Sequence, residues 1–431
     1  MKEVIRGDLR HVLLMGLSTG GNAVLGFMVG IMLVRALPPE EYGLFSAAVA
    51  VTLVAQEFVG RGINDAMVRL GTAAAAGSQA RVAEVFRSGL ALKGIFSLLA
   101  IVVFLLVPGA TIKIFGYSRL QQAFPAMIAS IVGFGIWSFV LAWHQARMSF
   151  GRLALVQPVY NLLRIGCYLA VMALSPLRWI PAVWIMAGTF FSSVLLAGGE
   201  PWRTLARTPC DGNLFRQTFS DLWRCSGWGM LAALAFVTLS RMDIFVLTHH
   251  AAAQKVAIYN AAWQLMTIID LGTATIITVM TPKVVHCEYR DEMAQWAGRT
   301  FFLCLVTALL SSPLLLLAQW YVPRFLGPGY SQSVPLVRII YWGNVSALLS
   351  FPFVGILYAR RAYHVVAAIQ VFLLAVSVPA YILAASRAGI VGVAWATFGL
   401  RVANALFILS CVALLIKRAP RRRWLAARGT T

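Results

Sequence analysis

Charge is scarce in this chain, and negative charge is scarcer. Only 12% of the 431 residues are charged, and 36 Lys and Arg stand against 15 Asp and Glu. A soluble domain carries about a quarter charged residues. With 60% hydrophobic residues, this chain has more apolar surface than a water-facing fold can hide, so its solvent is lipid. Six cysteines (Cys167, Cys210, Cys225, Cys287, Cys304 and Cys411) form no C-x-x-C pair and have no histidine at ligand spacing. They read as small apolar residues or reduced thiols, with no metal site. No G-x-x-x-x-G-K-[ST] loop occurs, which excludes an encoded nucleotide motor. H-E-x-x-H is missing too, and no cofactor and no enzyme activity are expected. The apolar run 11–34 is too long for a signal-peptide core and lacks a small-x-small cleavage site, so it is expected to remain as a membrane helix.

What is present is a series of long apolar runs. A span needs about 20 mostly apolar residues. About twelve runs meet that criterion, centred near Gly21, Val54, Leu99, Val132, Tyr168 and Phe190, then near Ala235, Ile268, Ala308, Ala347, Leu374 and Ala403. The expected fold is an all-α polytopic membrane protein. Basic residues alternate between the links. Arg69, Arg81, Arg87, Arg147, Arg152, Arg203, Arg207, Arg216, Lys283, Arg290, Arg299, Arg360, Arg361 and the tail from Lys417 fall on one side, and few fall on the other. The rich side is expected to be cytoplasmic, with both termini inside. This pattern accounts for the net charge of +21 without nucleic acid as a partner.

The second half repeats the first. Ala146, Arg147 and Gln157 return as Ala359, Arg360 and Gln370, and Tyr117-Ser118 returns as Tyr330-Ser331, all at an offset of 213 residues. Residues 43–48 (GLFSAA) return as 257–262 (AIYNAA), offset by 214. Six spans per copy is an even number, so both copies enter from the same side, as a parallel repeat about an axis along the membrane normal. The expected organisation is an N-terminal six-helix lobe (1–199), a cytoplasmic connection (200–225), a C-terminal six-helix lobe (226–416) and a basic tail (417–431). Residues 70–88 are expected to form a short cytosolic link.

Several motifs resemble a known family. Residues 35–43 (RALPPEEYG) are similar to the link between the first two helices of polysaccharide flippases. Arg241-Met242-Asp243-Ile244 followed by 256–262 (VAIYNAA) resembles the family's seventh-helix Asp and the pattern after it. Ala257 departs from that pattern, which has Gly there. Phe325-Leu326-Gly327 with Tyr330, and Gly389-Ile390-Val391-Gly392 before Ala394, complete the likeness, which runs over nearly the whole chain. The resemblance is to the Wzx-type oligosaccharide flippases, within the multidrug/oligosaccharidyl-lipid/polysaccharide exporter superfamily. It implies transfer of an undecaprenyl-pyrophosphate-linked oligosaccharide to the periplasmic face of the bacterial inner membrane, with membrane lipids and a polysaccharide polymerase or export machinery as partners.

Ionisable residues at hydrocarbon depth are costly, about 2.5–3.5 kcal/mol each, and mark candidate sites. Arg164 and Arg401 lie nearest mid-span, and Arg241 is a third cation. Guanidinium groups around a wet cavity hold a phosphate through bidentate contacts. The alternative is that each fixes helix packing through a carboxylate or carbonyl. Asp270, Asp243 and Glu57 are the candidates for coupling to a proton or sodium gradient. Glu57 and Asp270 are repeat-equivalent, but Glu57 has Arg61 one turn away, which favours a salt bridge there. The alternative for Asp243, and the favoured one, is a structural pairing with an arginine on a neighbouring helix. Arg338 is expected to snorkel at a span end. Two rival readings stand beside the flippase. A drug or cation antiporter of the same superfamily is disfavoured by an arginine-rich cavity. A membrane-embedded polysaccharide polymerase or ligase leaves the repeat unexplained.

Overall fold

The computed structural model describes residues 2–75, 78–106, 117–284, 289–360 and 362–420. Its regular elements are helices, with no strand among the described residues. The first lobe holds α1 (Lys2–Ala36), α2 (Pro39–Val59) continued by α3 (Arg61–Ala75), α4 (Gln79–Leu106), α5 (Phe124–Ala146), α6 (Phe150–Leu174) and α7 (Trp179–Leu196). A short helix, α8 (Glu200–Arg207), leads to the second lobe. That lobe holds α9 (Gly212–Leu239) continued by α10 (Met242–His250), α11 (Ala253–Val284), α12 (Arg290–Leu310), α13 (Ser312–Leu316), α14 (Ala318–Leu326), α15 (Ser333–Leu348), α16 (Val354–Ala359) and α17 (Tyr363–Arg418).

Ten helical runs among the described residues are long and apolar enough to cross a membrane. One of them, α17, is two helices joined where Ala388 and Gly389 leave helical geometry, Gly389 at φ 55°. Glycine takes that left-handed turn without a Cβ penalty. In addition, α11 spans 32 residues, long enough to cross a bilayer. These helices account for the twelve crossings that the sequence predicts. Residues 70–88, expected as a link, are largely helical: α3 runs to Ala75 and α4 starts at Gln79.

Local chemistry sets the helix starts. Pro39 begins α2 with Glu40 and Glu41 in its first turn, where a fixed φ and negative charge suit a helix N-terminus. Asp211 caps α9 by accepting from the Asn213 and Leu214 N–H groups. The α8–α9 connection is clasped to α4. Arg87 donates to the carbonyls of Leu205, Thr208 and Pro209, and Glu84 pairs with Arg87 while accepting from the Asp211 N–H.

The lobes meet along α2, α3 and α4 on one side and α9 and α11 on the other, while α1 lies between α6 and α11. At the lightly charged end the seam is closed. A Cβ on Gly43 would lie 1.9 Å from the Ala253 carbonyl oxygen, so only glycine permits this approach. Ala257, which stands where the family pattern has Gly, is fully buried, and the close approach is carried by Gly43 instead. Tyr117 donates to the Ala251 carbonyl at 2.7 Å, and its repeat equivalent Tyr330 donates to the Val34 carbonyl at 3.3 Å.

Candidate functional site

The six charged residues singled out from the sequence fall into two groups. Four of them gather in the second lobe. The crossing is broken between α9 and α10, with Arg241 as the residue before α10 and Asp243 in its first turn. Asp243 is 2% exposed and accepts three hydrogen bonds, from Tyr259 Oη at 2.8 Å, Trp263 Nε1 at 3.0 Å and the Ile244 N–H at 2.8 Å. Tyr259 Oη also meets Thr397 Oγ1 at 2.9 Å, and Tyr381 meets Thr397 at 3.2 Å. Asp243 is thus tied into a buried polar network that joins α10, α11 and both halves of α17.

The Arg401 guanidinium carbon sits over the Trp263 ring, 4.3 Å from its centroid, and Arg401 donates to Asn344 Oδ1. Asn344 is fixed in turn by donating to the Met266 carbonyl at 3.2 Å. Arg241 is within electrostatic range of Asp243, Asp270, Arg401 and Tyr42, and Tyr42 belongs to α2 of the other lobe. Asp270 lies seven residues beyond Trp263 on α11, hence on the same helix face two turns along. It is exposed and within electrostatic range of Arg401 and Arg241. A small cavity of about 60 Å³ opens among Asp243, Trp263, Gln370, Thr397, Arg401 and Asn404.

The other two residues sit in the first lobe. Arg164 on α6 stacks against Tyr160 and Tyr168, 5.2 and 6.0 Å from the ring centroids, and donates to Asn161 Oδ1 at 3.4 Å. Asn161 donates to Asn22 Oδ1 at 2.8 Å, which fastens this part of α6 to α1. The Nε of Arg164 is buried without a hydrogen-bond partner. Glu57 pairs with Arg61 at 3.8 Å, the salt bridge that the spacing favours. Among the described residues, none of Arg164, Arg241 and Arg401 has a carboxylate within 4.0 Å. Arg164 and Arg401 are held by aromatic faces and amides, which satisfy a guanidinium without an ion pair at contact distance.

A model of the polysaccharide biosynthesis protein family matches residues 9–286, well over half of the chain. The chain belongs to the polysaccharide biosynthesis protein family. No curated relative matches it by sequence. Among solved structures, it resembles a lipid II flippase MurJ in an inward closed conformation. That match has 13% identity and a TM-score of 0.75, and covers 93% of this chain and 87% of the other. It also resembles an inward-facing multidrug resistance MATE family transporter, at 13% identity and TM-score 0.74, covering 92% and 94%. A third likeness is a MOP superfamily transporter from Pyrococcus furiosus, at 13% identity and TM-score 0.65, covering 94% and 95%. The fold of this family member is therefore that of the MOP superfamily transporters and flippases, a multi-pass membrane architecture.

Sequence reasoning missed the groups that hold the charges. Lys93 is 2% exposed on α4 and donates to the Val59 carbonyl and to Ser138 Oγ, the latter at 2.8 Å. It thereby satisfies a carbonyl freed by the α2–α3 break at Gly60, and it is within electrostatic range of Glu57. Its signal was a lysine inside the apolar run of α4. The partners Tyr259, Trp263, Asn344 and Thr397 carried no such signal, because neutral polar residues are common in membrane helices. Arg338 is exposed.

Proposed function

We propose that this chain is a secondary transporter that moves an undecaprenyl-pyrophosphate-linked oligosaccharide from the cytoplasmic to the periplasmic leaflet of a bacterial inner membrane, for a surface polysaccharide such as O-antigen or exopolysaccharide. The basic end faces the cytoplasm, with both termini there. The observation that carries this reading is the set of three intramembrane arginines without a carboxylate within 4.0 Å among the described residues. An ion-pair role would have matched each with an acid. A pyrophosphate headgroup supplies the missing negative charge and takes bidentate hydrogen bonds from a guanidinium.

Arg241 and Arg401 form the second-lobe side of the headgroup path and Arg164 the first-lobe side. The lobes alternate between openings to either face, and the seam closed through Gly43 and the two tyrosines is one end state. A proton or sodium gradient supplies the energy. Asp270 is the better coupling group, because its carboxylate is exposed and held by no ion pair within 4.0 Å among the described residues, whereas Asp243 already accepts three hydrogen bonds. Glu57 serves the first lobe by pairing with Arg61. A polysaccharide polymerase or export machinery would receive the product. The Pyrococcus furiosus relative is described by the reversed polarity of its binding pocket, as a sign of a different function.

The test is reconstitution into vesicles with a lipid-pyrophosphate oligosaccharide, following leaflet exchange with and without a proton or sodium gradient. Gradient-dependent exchange is expected. Transport of a lipophilic cation in place of the lipid-linked sugar would point to an antiporter.

A further inference from the structure

A groove of about 920 Å³ lies at the basic end of the first lobe, lined by Gln79, Arg152, Glu200, Arg203, Arg207 and neighbouring backbone. It belongs to one lobe, where α8 packs on α4, away from the contact between α1 and α11. The helix α8 that forms one wall is anchored to the lobe. Trp202 stacks on Phe139 with ring centroids 5.3 Å apart, and Arg87 holds the carbonyls at the end of α8.

The charges in the groove do not balance. Glu200 is its single acid and already pairs with Arg147 at 3.4 Å and with Arg152. Arg203 and Arg207 are one turn apart on α8, both exposed, and neither has a carboxylate within 4.0 Å among the described residues. Like charges at this spacing destabilise a helix unless an anion lies between them.

The lip of the groove is apolar. Leu195 and Leu196 immediately precede it at the end of α7 and are 82% and 67% exposed, and Leu155, one turn along α6 from Arg152, is 67% exposed. An arginine pocket for an anion beside exposed leucines for acyl chains matches an amphiphile lying in the membrane interface.

We propose that this groove binds the phosphate of an anionic phospholipid, with Arg203 and Arg207 on the headgroup and Leu155, Leu195 and Leu196 along the acyl chains. The site is separate from the headgroup path of the transported lipid.

The experiment is native mass spectrometry of the full chain in detergent with equal amounts of phosphatidylglycerol and phosphatidylcholine. The wild type should retain phosphatidylglycerol preferentially. Arg203→Ala with Arg207→Ala should weaken that preference roughly tenfold or more, taking about 1 kcal/mol per arginine near an anionic lipid. Arg299→Ala, an exposed change at the same end, should leave it intact. No preference in the wild type, or a preference that survives in the double variant, overturns the proposal. Displacement of the lipid by millimolar glycerol phosphate also overturns it, by making the ligand a free anion. Should the double variant fail to fold, Arg203→Gln alone carries the same comparison.

Discussion

Ser46 and Asn260 occupy the same position in the two copies of the repeat, and they touch: Asn260 Nδ2 donates to Ser46 Oγ at 2.8 Å. When equivalent positions meet, the pseudo-two-fold axis passes between them. Asn260 also donates to Tyr42 Oη at 3.0 Å, so the axis runs through a polar contact that joins α2 to α11. The tyrosine pair obeys the same symmetry, since Tyr117 and Tyr330 each reach from one lobe to a carbonyl at the end of the other lobe's first crossing.

Removing those two hydroxyls should loosen the closed end. Each hydrogen bond contributes about 1 kcal/mol net. Tyr117→Phe with Tyr330→Phe should therefore raise labelling of a Ser46→Cys probe by an impermeant maleimide roughly fivefold or more. Unchanged labelling would show that the tyrosines do not hold the lobes together.

Gly43 should tolerate no side chain. In Gly43→Ala the new methyl would overlap the Ala253 carbonyl oxygen, and the lobes would have to separate. The variant should stay folded and membrane-inserted, show the same increase in maleimide labelling, and lose transport. A fully active Gly43→Ala protein would contradict the close approach.

Asp243 and Asp270 should separate stability from coupling. Asp243→Asn leaves Tyr259 and Trp263 donors facing an amide, at about 1–3 kcal/mol, so detergent thermostability should fall clearly. Asp270→Asn changes an exposed group and should stay within about 0.5 kcal/mol of wild type, while ion-gradient stimulation of transport disappears. Equal melting losses, or a gradient response that survives Asp270→Asn, would reassign the coupling group.

The clasp between α4 and the α8–α9 connection should be structural. Glu84 is 1% exposed, and Glu84→Ala removes the acceptor shared by Arg87 and the Asp211 N–H while leaving Arg87 its carbonyls, at about 1.5–3 kcal/mol for a charged hydrogen bond. Faster proteolysis between Arg207 and Gly212 is the expected readout. Protection equal to wild type would remove the clasp from the account.

Much of this architecture was legible because lipid imposes a strong grammar. Apolar runs, alternating basic links and a constant offset gave the crossings, their two copies and their shared direction. The site was legible only through its charges. Arg164, Arg241, Arg401, Asp243 and Asp270 stood out because ionised groups are costly in hydrocarbon. That Arg401 rests on Trp263 and Asp243 on Tyr259 depends on how α11 turns against α17 and α10, which no local pattern encodes. Lys93 stood out as a lysine inside the apolar run of α4, but the carbonyl it answers, Val59 beside the break at Gly60, lies on another helix and no local pattern pairs the two.

The central claim is that arginines without a carboxylate at contact distance carry a lipid-linked pyrophosphate through the bilayer. Its most direct test is leaflet exchange of a lipid-pyrophosphate oligosaccharide by reconstituted wild-type protein and by Arg164→Ala with Arg401→Ala, at matched folding and insertion. The double variant should lose at least tenfold of the exchange rate, about 1.4 kcal/mol at the barrier. Exchange at the wild-type rate would contradict the claim.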